Sequence, residues 1–153
     1  MTHEEIQKIF CENLQLLNKN VQWLKKSFQK AQKMRLESKK SLTESDLEIL
    51  ETLSNRFGRT VDILINKVLR GLDILELEDI TRKLDIVIRA EKRGFVDDYT
   101  LLIEMKDLRN ELVHEYIQEN LIEKFKEVLE KTPVLIKIVE KVNQYSRKMK
   151  YCE

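Results

Sequence analysis

Leu14, Leu17, Val21, Leu24, Phe28 and Ala31 follow one another in steps of three and four residues, the spacing of a heptad seam on one side of an α-helix. That helix is expected to start after Thr2, which with Glu5 forms a Thr-x-x-Glu capping box, and to fray in the charged segment 37–40. Thr43 reads as the cap of a second long helix whose stripe is Leu50, Leu53, Phe57, Val61, Leu64, Val68 and Leu72. Gly58 and Gly71 interrupt it. A glycine inside a helix costs about 1 kcal/mol relative to alanine, so Gly58 predicts close packing of a neighbouring helix.

Residues 73–79 read as a connection. A shorter third helix carries Ile80, Leu84, Val87 and Ile88 and ends at Gly94, with Lys92 and Arg93 in its last turn. Asp97 or Asp98 caps a fourth, with stripe Leu101, Met105, Leu108 and Leu112. The last helix spans about 119–148 on Leu121, Phe125, Val128, Thr132, Leu135, Val139 and Val142, with Pro133 inside it. The heptad phase continues across the proline, which favours one kinked helix; a fresh N-terminus at Thr132 and Pro133 is the alternative. Five helices with short connections predict an all-α, up-and-down bundle forming a single domain over 1–153. No strand pattern, repeat or low-complexity tract is present.

Composition agrees with that reading. Three Gly and one Pro in 153 residues leave little turn chemistry, and 36% of residues are charged, mostly Lys and Glu set between Leu and Ile. The same composition hints at a thermophile. The net charge of +1, from 28 basic and 27 acidic residues, carries no message about nucleic acid, but its distribution does. Residues 19–40 hold eight Lys or Arg and one acid, Glu37, and 41–54 hold four acids and no base. A solvated helix face explains the basic strip; Lys25, Lys26, Lys30 and Lys33, with Trp23 and Phe28 nearby, alternatively form a strip attractive to RNA phosphates.

Cys11 and Cys152 stand near opposite ends, outside any CxxC or His/Cys cluster. With no signal peptide and no apolar run of membrane length, the expectation is a soluble cytoplasmic protein with reduced thiols and no membrane contact. No metal site is expected: His3 falls in the N-terminal tail, and His114 lacks a ligand-spaced partner. Nothing resembles a glycine-rich phosphate loop, and no cofactor is implied.

The segment MKDLRNELVHEY, 105–116, departs from the Leu/Glu/Lys background. On a helix turning about 100° per residue, Arg109 and Tyr116 share one flank of the core stripe, and Asn110 stacks with His114. Arg109 and His114 then stand about 140° apart. They converge only if the helix ends near His114 or a second copy supplies the partner. A plain helix C-terminus, where cationic side chains favour the dipole, is the competing explanation; for Tyr116 that is a packing aromatic.

RNELVHEY resembles the Arg-x4-6-His motif of HEPN domains, and more narrowly the Arg-x4-His-x-Tyr form of the HepT toxins, including a polar residue after the arginine, here Asn110. Those proteins are helical bundles encoded beside minimal nucleotidyltransferases. The resemblance covers most of the chain in helix order and length, but residue identity is confined to 109–116. It implies a toxin–antitoxin pair in which this chain is a metal-independent endoribonuclease, with Arg109, His114 and Asn110 catalytic in a composite site at a homodimer interface. It further implies a cognate nucleotidyltransferase antitoxin that silences the site by AMPylation of Tyr116. The other reading is a non-catalytic helical binding partner, the substrate-binding subunit of a nucleotidyltransferase.

Overall fold

A computed structural model describes residues 1–115 and 118–153, with the side chains of all of these except Gln118 and Glu119. The described residues form five helices and no strand. Helix α1 is His3–Gln32. Helix α2 (44–75) joins Glu44–Ile63, a π-helical stretch Leu64–Leu69 and Arg70–Leu75 without a break. Then come α3 (Lys83–Lys92), α4 (Thr100–His114) and α5 (Gln118–Lys148).

The long helices start where their caps predict. Thr2 Oγ1 accepts from the Glu5 N–H at 3.2 Å, so His3 opens α1 and is not part of a free tail. Thr43 and Asp46 exchange side-chain-to-backbone bonds at 3.1 Å in both directions, a complete capping box. Helix α1 stops at Gln32, earlier than its charge pattern suggests. Arg35 enters the left-handed region at φ 51°, and the turn drops Leu36 into the core. Burying Leu36 and Leu42 outweighs prolonging an exposed helix.

The seam on α1 and the full stripe on α2 are buried, Phe28 only in part. Helix α1 runs antiparallel to α2: Arg56 donates to Ser27 Oγ at 2.7 Å, and Gly71 meets the Phe10 ring near the other end. Helix α5 is antiparallel to α1, joined midway by a reciprocal amide pair of Asn18 and Asn143 at 2.8 and 2.9 Å. Lys131 to Glu104 at 3.7 Å and Lys124 to Glu111 set α5 antiparallel to α4. Helix α5 continues through Pro133, which removes the alternative of two helices; the Thr132 hydroxyl bonds the Val128 carbonyl at 2.6 Å.

Three local expectations are corrected. Residues 73–75 are helical rather than part of a connection, because Leu72 and Leu75 extend the buried stripe. Asp73 is fully buried between Arg89 and Arg93. On α3 the inward residues are Ile86, Val87 and Ala90, while Leu84 is exposed. On α4 the buried phase is Leu102, Met105 and Leu108, with Leu101 and Leu112 at its margins. Gly94, at φ 85°, closes α3 as expected. Its N–H reaches Glu91 and the Phe95 N–H reaches Ala90, both at 3.0 Å, the two bonds of a Schellman motif. Neither aspartate is the cap of α4, which is Tyr99, but Asp98 Oδ1 just before it accepts from the Thr100 N–H at 2.9 Å.

The thiols are not reduced: Cys11 and Cys152 form a disulfide, with Cα atoms 5.7 Å apart. Distance along the chain misled here, because antiparallel α1 and α5 bring both ends of the chain to one end of the bundle. There the Tyr151 carbonyl accepts from Gln7 Nε2 at 2.7 Å. The bond spans a sequence separation of 141, and a bridge over so long a loop chiefly restricts the unfolded chain, contributing roughly 2–4 kcal/mol. Reduction is therefore expected to lower the melting temperature by about 5–15 °C at roughly 2–4 °C per kcal/mol. Thermal unfolding with and without a thiol reductant, alongside Cys152→Ser, checks this; an unchanged transition on full reduction would contradict it.

Candidate functional site

Helix α4 ends at His114, and Glu115 is already extended at φ −90° and ψ 124°. The helix thus stops at the histidine, but His114 is its last helical residue and keeps the helical offset from Arg109, so the stop by itself does not bring the two together within one chain. His114 and Asn110 are both exposed. Tyr116 lies outside the described residues.

Arg109 is held differently. Its side chain lies across α2 at Gly58, where an added Cβ would stand 2.4 Å from Arg109 Cγ and 3.2 Å from Cδ. The close helix approach expected from Gly58 is therefore present, and the approaching group is the motif arginine. Beyond the glycine, Arg109 Nη2 meets Asp62 Oδ2 at 3.3 Å, with the side chains 44% and 33% exposed. A half-exposed pair of this kind is worth about 0–1 kcal/mol, so an incoming phosphate can take over the guanidinium.

The arginine lines a groove of about 460 Å³ between α2, α4 and α5. Polar walls come from Glu51, Ser54, Asn55, Arg59 and Asp62 on α2, and apolar ones from Leu112, Leu121 and Phe125. Val113 and Glu115 bring the end of α4 to its rim; Asn110 and His114 are not among its walls. Its charged side chains are two arginines against three carboxylates, so it is no simple anion trap. Ser54 adds an unusual feature. The buried hydroxyls of Thr60, Thr132 and Ser146 each donate to the carbonyl four residues back, at 2.6–2.9 Å, whereas Ser54 Oγ has no partner among the described residues and borders the groove.

Sequence reasoning missed Asn55, Arg59 and Asp62. The available signal was their spacing of four and three residues, which lays a polar line beside the apolar stripe of α2. Lys25, Lys26, Lys30 and Lys33 are all exposed. Lys26 and Lys30 border a hollow against α2 with Arg56 and Glu48, while Lys25 borders another against α5 with Glu140 and Arg147. Lys19 sits 5.9 Å over the Trp23 ring.

Among the described residues no group of three or more His, Cys, Asp or Glu side chains is placed to hold a metal ion, and no helix is long and apolar enough to cross a membrane. Comparison with protein-family models, curated proteins and solved structures gives no match.

Proposed function

We propose that this protein is a metal-independent endoribonuclease of the HEPN kind, the toxin of a pair whose antitoxin is a minimal nucleotidyltransferase. The observation that carries the reading is Arg109 lodged in a groove whose rim is the end of α4, the helix on which His114 is the last, exposed residue. RNA supplies its own nucleophile. The 2′-oxygen attacks the neighbouring phosphorus while its proton passes to a base. The bond from phosphorus to the 5′-oxygen breaks, and an acid protonates that oxygen, leaving a 2′,3′-cyclic phosphate and a 5′-hydroxyl. His114 is suited to either proton step. Arg109 presents a planar fork of donors to the pentavalent phosphate, and Asn110, one turn before His114, orients the ring or the phosphate. In the groove, Arg59 adds a second phosphate donor. Glu51 and Asn55 offer acceptors to the amino edges of an unstacked base, which accounts for carboxylates in a site that takes RNA.

Each motif has one histidine, and a separate imidazole for each proton step, or an Arg109 to meet His114, then comes from a second chain, so the active form in this reading is a two-fold homodimer with a composite site. Silencing follows from Tyr116. Its oxygen attacks the α-phosphorus of ATP on the partner enzyme, pyrophosphate leaves, and the phenolic proton is lost. The resulting AMP group adds bulk and negative charge that compete with substrate phosphate for Arg109. These reactions belong in the cytoplasm. A disulfide persists there in hyperthermophiles, in keeping with the Lys/Glu-rich composition.

The excess of carboxylates in the groove also favours a second reading, a non-catalytic helical subunit that binds a nucleotidyltransferase. Incubation with the cognate nucleotidyltransferase, ATP and magnesium, followed by intact-mass spectrometry and an RNA cleavage assay, separates the two. The expected result is one AMP on Tyr116, none on Tyr116→Phe, and cleavage that falls in step with modification. An adduct on Tyr116→Phe, or complex formation by a protein that never cleaves RNA, would favour the binding subunit.

A further inference from the structure

We infer that Gly58 and Asp62 on α2 are the positioning residues of Arg109: the glycine provides a notch for the arginine stem, and the carboxylate fixes the direction of the guanidinium. The functional half of this inference rests on the ribonuclease reading; the structural half does not.

Three atoms of the Arg109 side chain crowd the place a Cβ on residue 58 would occupy, Cγ at 2.4 Å, Nε at 3.1 Å and Cδ at 3.2 Å. The nearest is Cγ, close to the root of the side chain, so the clash cannot be relieved by moving only the tip. An alanine at 58 would force a different rotamer at the first torsions and carry the guanidinium away. Glycine is the residue least favourable inside a helix apart from proline, and Gly58 stands in the middle of Glu44–Ile63, so its presence there answers to the arginine it receives.

Asp62 lies four residues on, one turn along the same face, and its Oδ2 forms an ion pair with Nη2 at 3.3 Å. The stem is thus confined at one end and the guanidinium at the other. Without these contacts a 44% exposed arginine would sample many rotamers, and a catalytic cation that must be ordered on substrate binding loses much of its advantage. The pair is weak enough to exchange. Substrate phosphate can therefore replace Asp62 as acceptor while Gly58 still holds the stem.

The test uses the full-length protein and two readouts. The first is the Nε–H resonance of Arg109, identified by its disappearance in Arg109→Ala. The parent protein is expected to give a dispersed, motionally restricted signal, and Gly58→Ala one that collapses into the mobile arginine envelope. Equal rigidity in both proteins would overturn the notch whether or not the protein cleaves RNA. The second readout is steady-state cleavage of a short oligoribonucleotide. Gly58→Ala is expected to lower kcat on the order of 10²-fold with KM little changed. Asp62→Ala should lower kcat about tenfold, one lost aiming contact, and Asp62→Asn, whose amide oxygen still accepts, should recover most of it. Full kcat in Gly58→Ala, or no difference between Asp62→Asn and Asp62→Ala, would overturn the positioning role. A parent protein inert towards RNA would overturn the ribonuclease reading, and the notch would be judged on the resonance alone.

Discussion

Arg109→Ala and His114→Ala are each expected to lower RNA cleavage by about 10²–10⁴-fold, the range seen when one oxyanion donor or one general acid or base is removed, while leaving the fold in place. The structural half of this expectation rests on exposure. His114 is exposed at the end of α4, and the Arg109 side chain is 44% exposed and paired with Asp62. Surface changes of this kind usually stay within about 0.5 kcal/mol, so both variants should melt within a few degrees of the parent. Asn110→Ala, which removes an orienting group and no proton-transfer group, should lose less. Single-turnover cleavage beside circular dichroism melts makes the comparison. Loss of activity accompanied by loss of fold would turn Arg109 and His114 into structural residues, and retained cleavage in both would place the activity elsewhere.

Asp73→Ala is expected to be the most damaging single substitution for stability, at about 3–5 kcal/mol, the cost of breaking a buried ion pair from one side. Asp73 is fully buried and accepts from Arg89 Nη1 at 3.1 Å and Arg93 Nη1 at 2.6 Å. Arg93 also holds Glu76 through Nε and Nη2, at 3.1 and 2.8 Å. The other oxygen of Glu76 accepts from the hydroxyls of Tyr145 and Tyr151, at 2.6 and 2.7 Å. This network ties α2 to α3, the end of α5 and the C-terminal turn. At roughly 2–4 °C per kcal/mol, the melting temperature should fall by about 6–20 °C. Asp73→Asn, which keeps an acceptor, should cost less.

The same cluster sets a pH dependence. Burial raises the Glu76 carboxyl, but the two tyrosine hydroxyls and Arg93 outweigh it and hold the group below its ordinary value of 4.5. Its contribution is complete above that value and is lost as pH falls through the lower folded one. Burial and the neighbouring Glu76 push Tyr151 from 10.0 up to about 12. That contribution is complete below pH 10.0 and is lost as pH rises through about 12. Melting temperatures measured from pH 3 to 12 should therefore drop at both ends, with Tyr151→Phe flattening the alkaline limb. A flat profile in the parent would contradict the network.

The helices were legible in the sequence because their signals are local. The heptad on α1, the stripe on α2 and the caps at Thr2 and Thr43 each depend on residues a few positions apart, and each lies where the pattern puts it. What escaped depends on partners distant along the chain. Asp73 looks like a loop residue until Arg89 and Arg93 are placed against it. Cys152 looks free until a turn through Lys150, at φ 58°, brings it to Cys11. The one-residue phase error on α4 arose because Leu101 and Leu102 are equally apolar, and only the neighbouring helices select Leu102. The site divides in the same way. Arg109, Asn110 and His114 were singled out by their spacing, and Gly58 by its cost. That the cost and the spacing meet at one contact, Gly58 under Arg109, required the fold, as did the polar line of Asn55, Arg59 and Asp62 on the far wall of the groove.

The most direct measurement is the chemistry of the cut ends. Purified protein, free of its partner and in the presence of EDTA, should cleave single-stranded RNA to fragments ending in a 2′,3′-cyclic phosphate and beginning with a 5′-hydroxyl, and the Arg109→Ala and His114→Ala proteins should leave the RNA intact. Intact RNA with the parent protein, cleavage that requires magnesium and yields 5′-phosphates, or equal cleavage by the two variants would contradict a ribonuclease site built on Arg109 and His114.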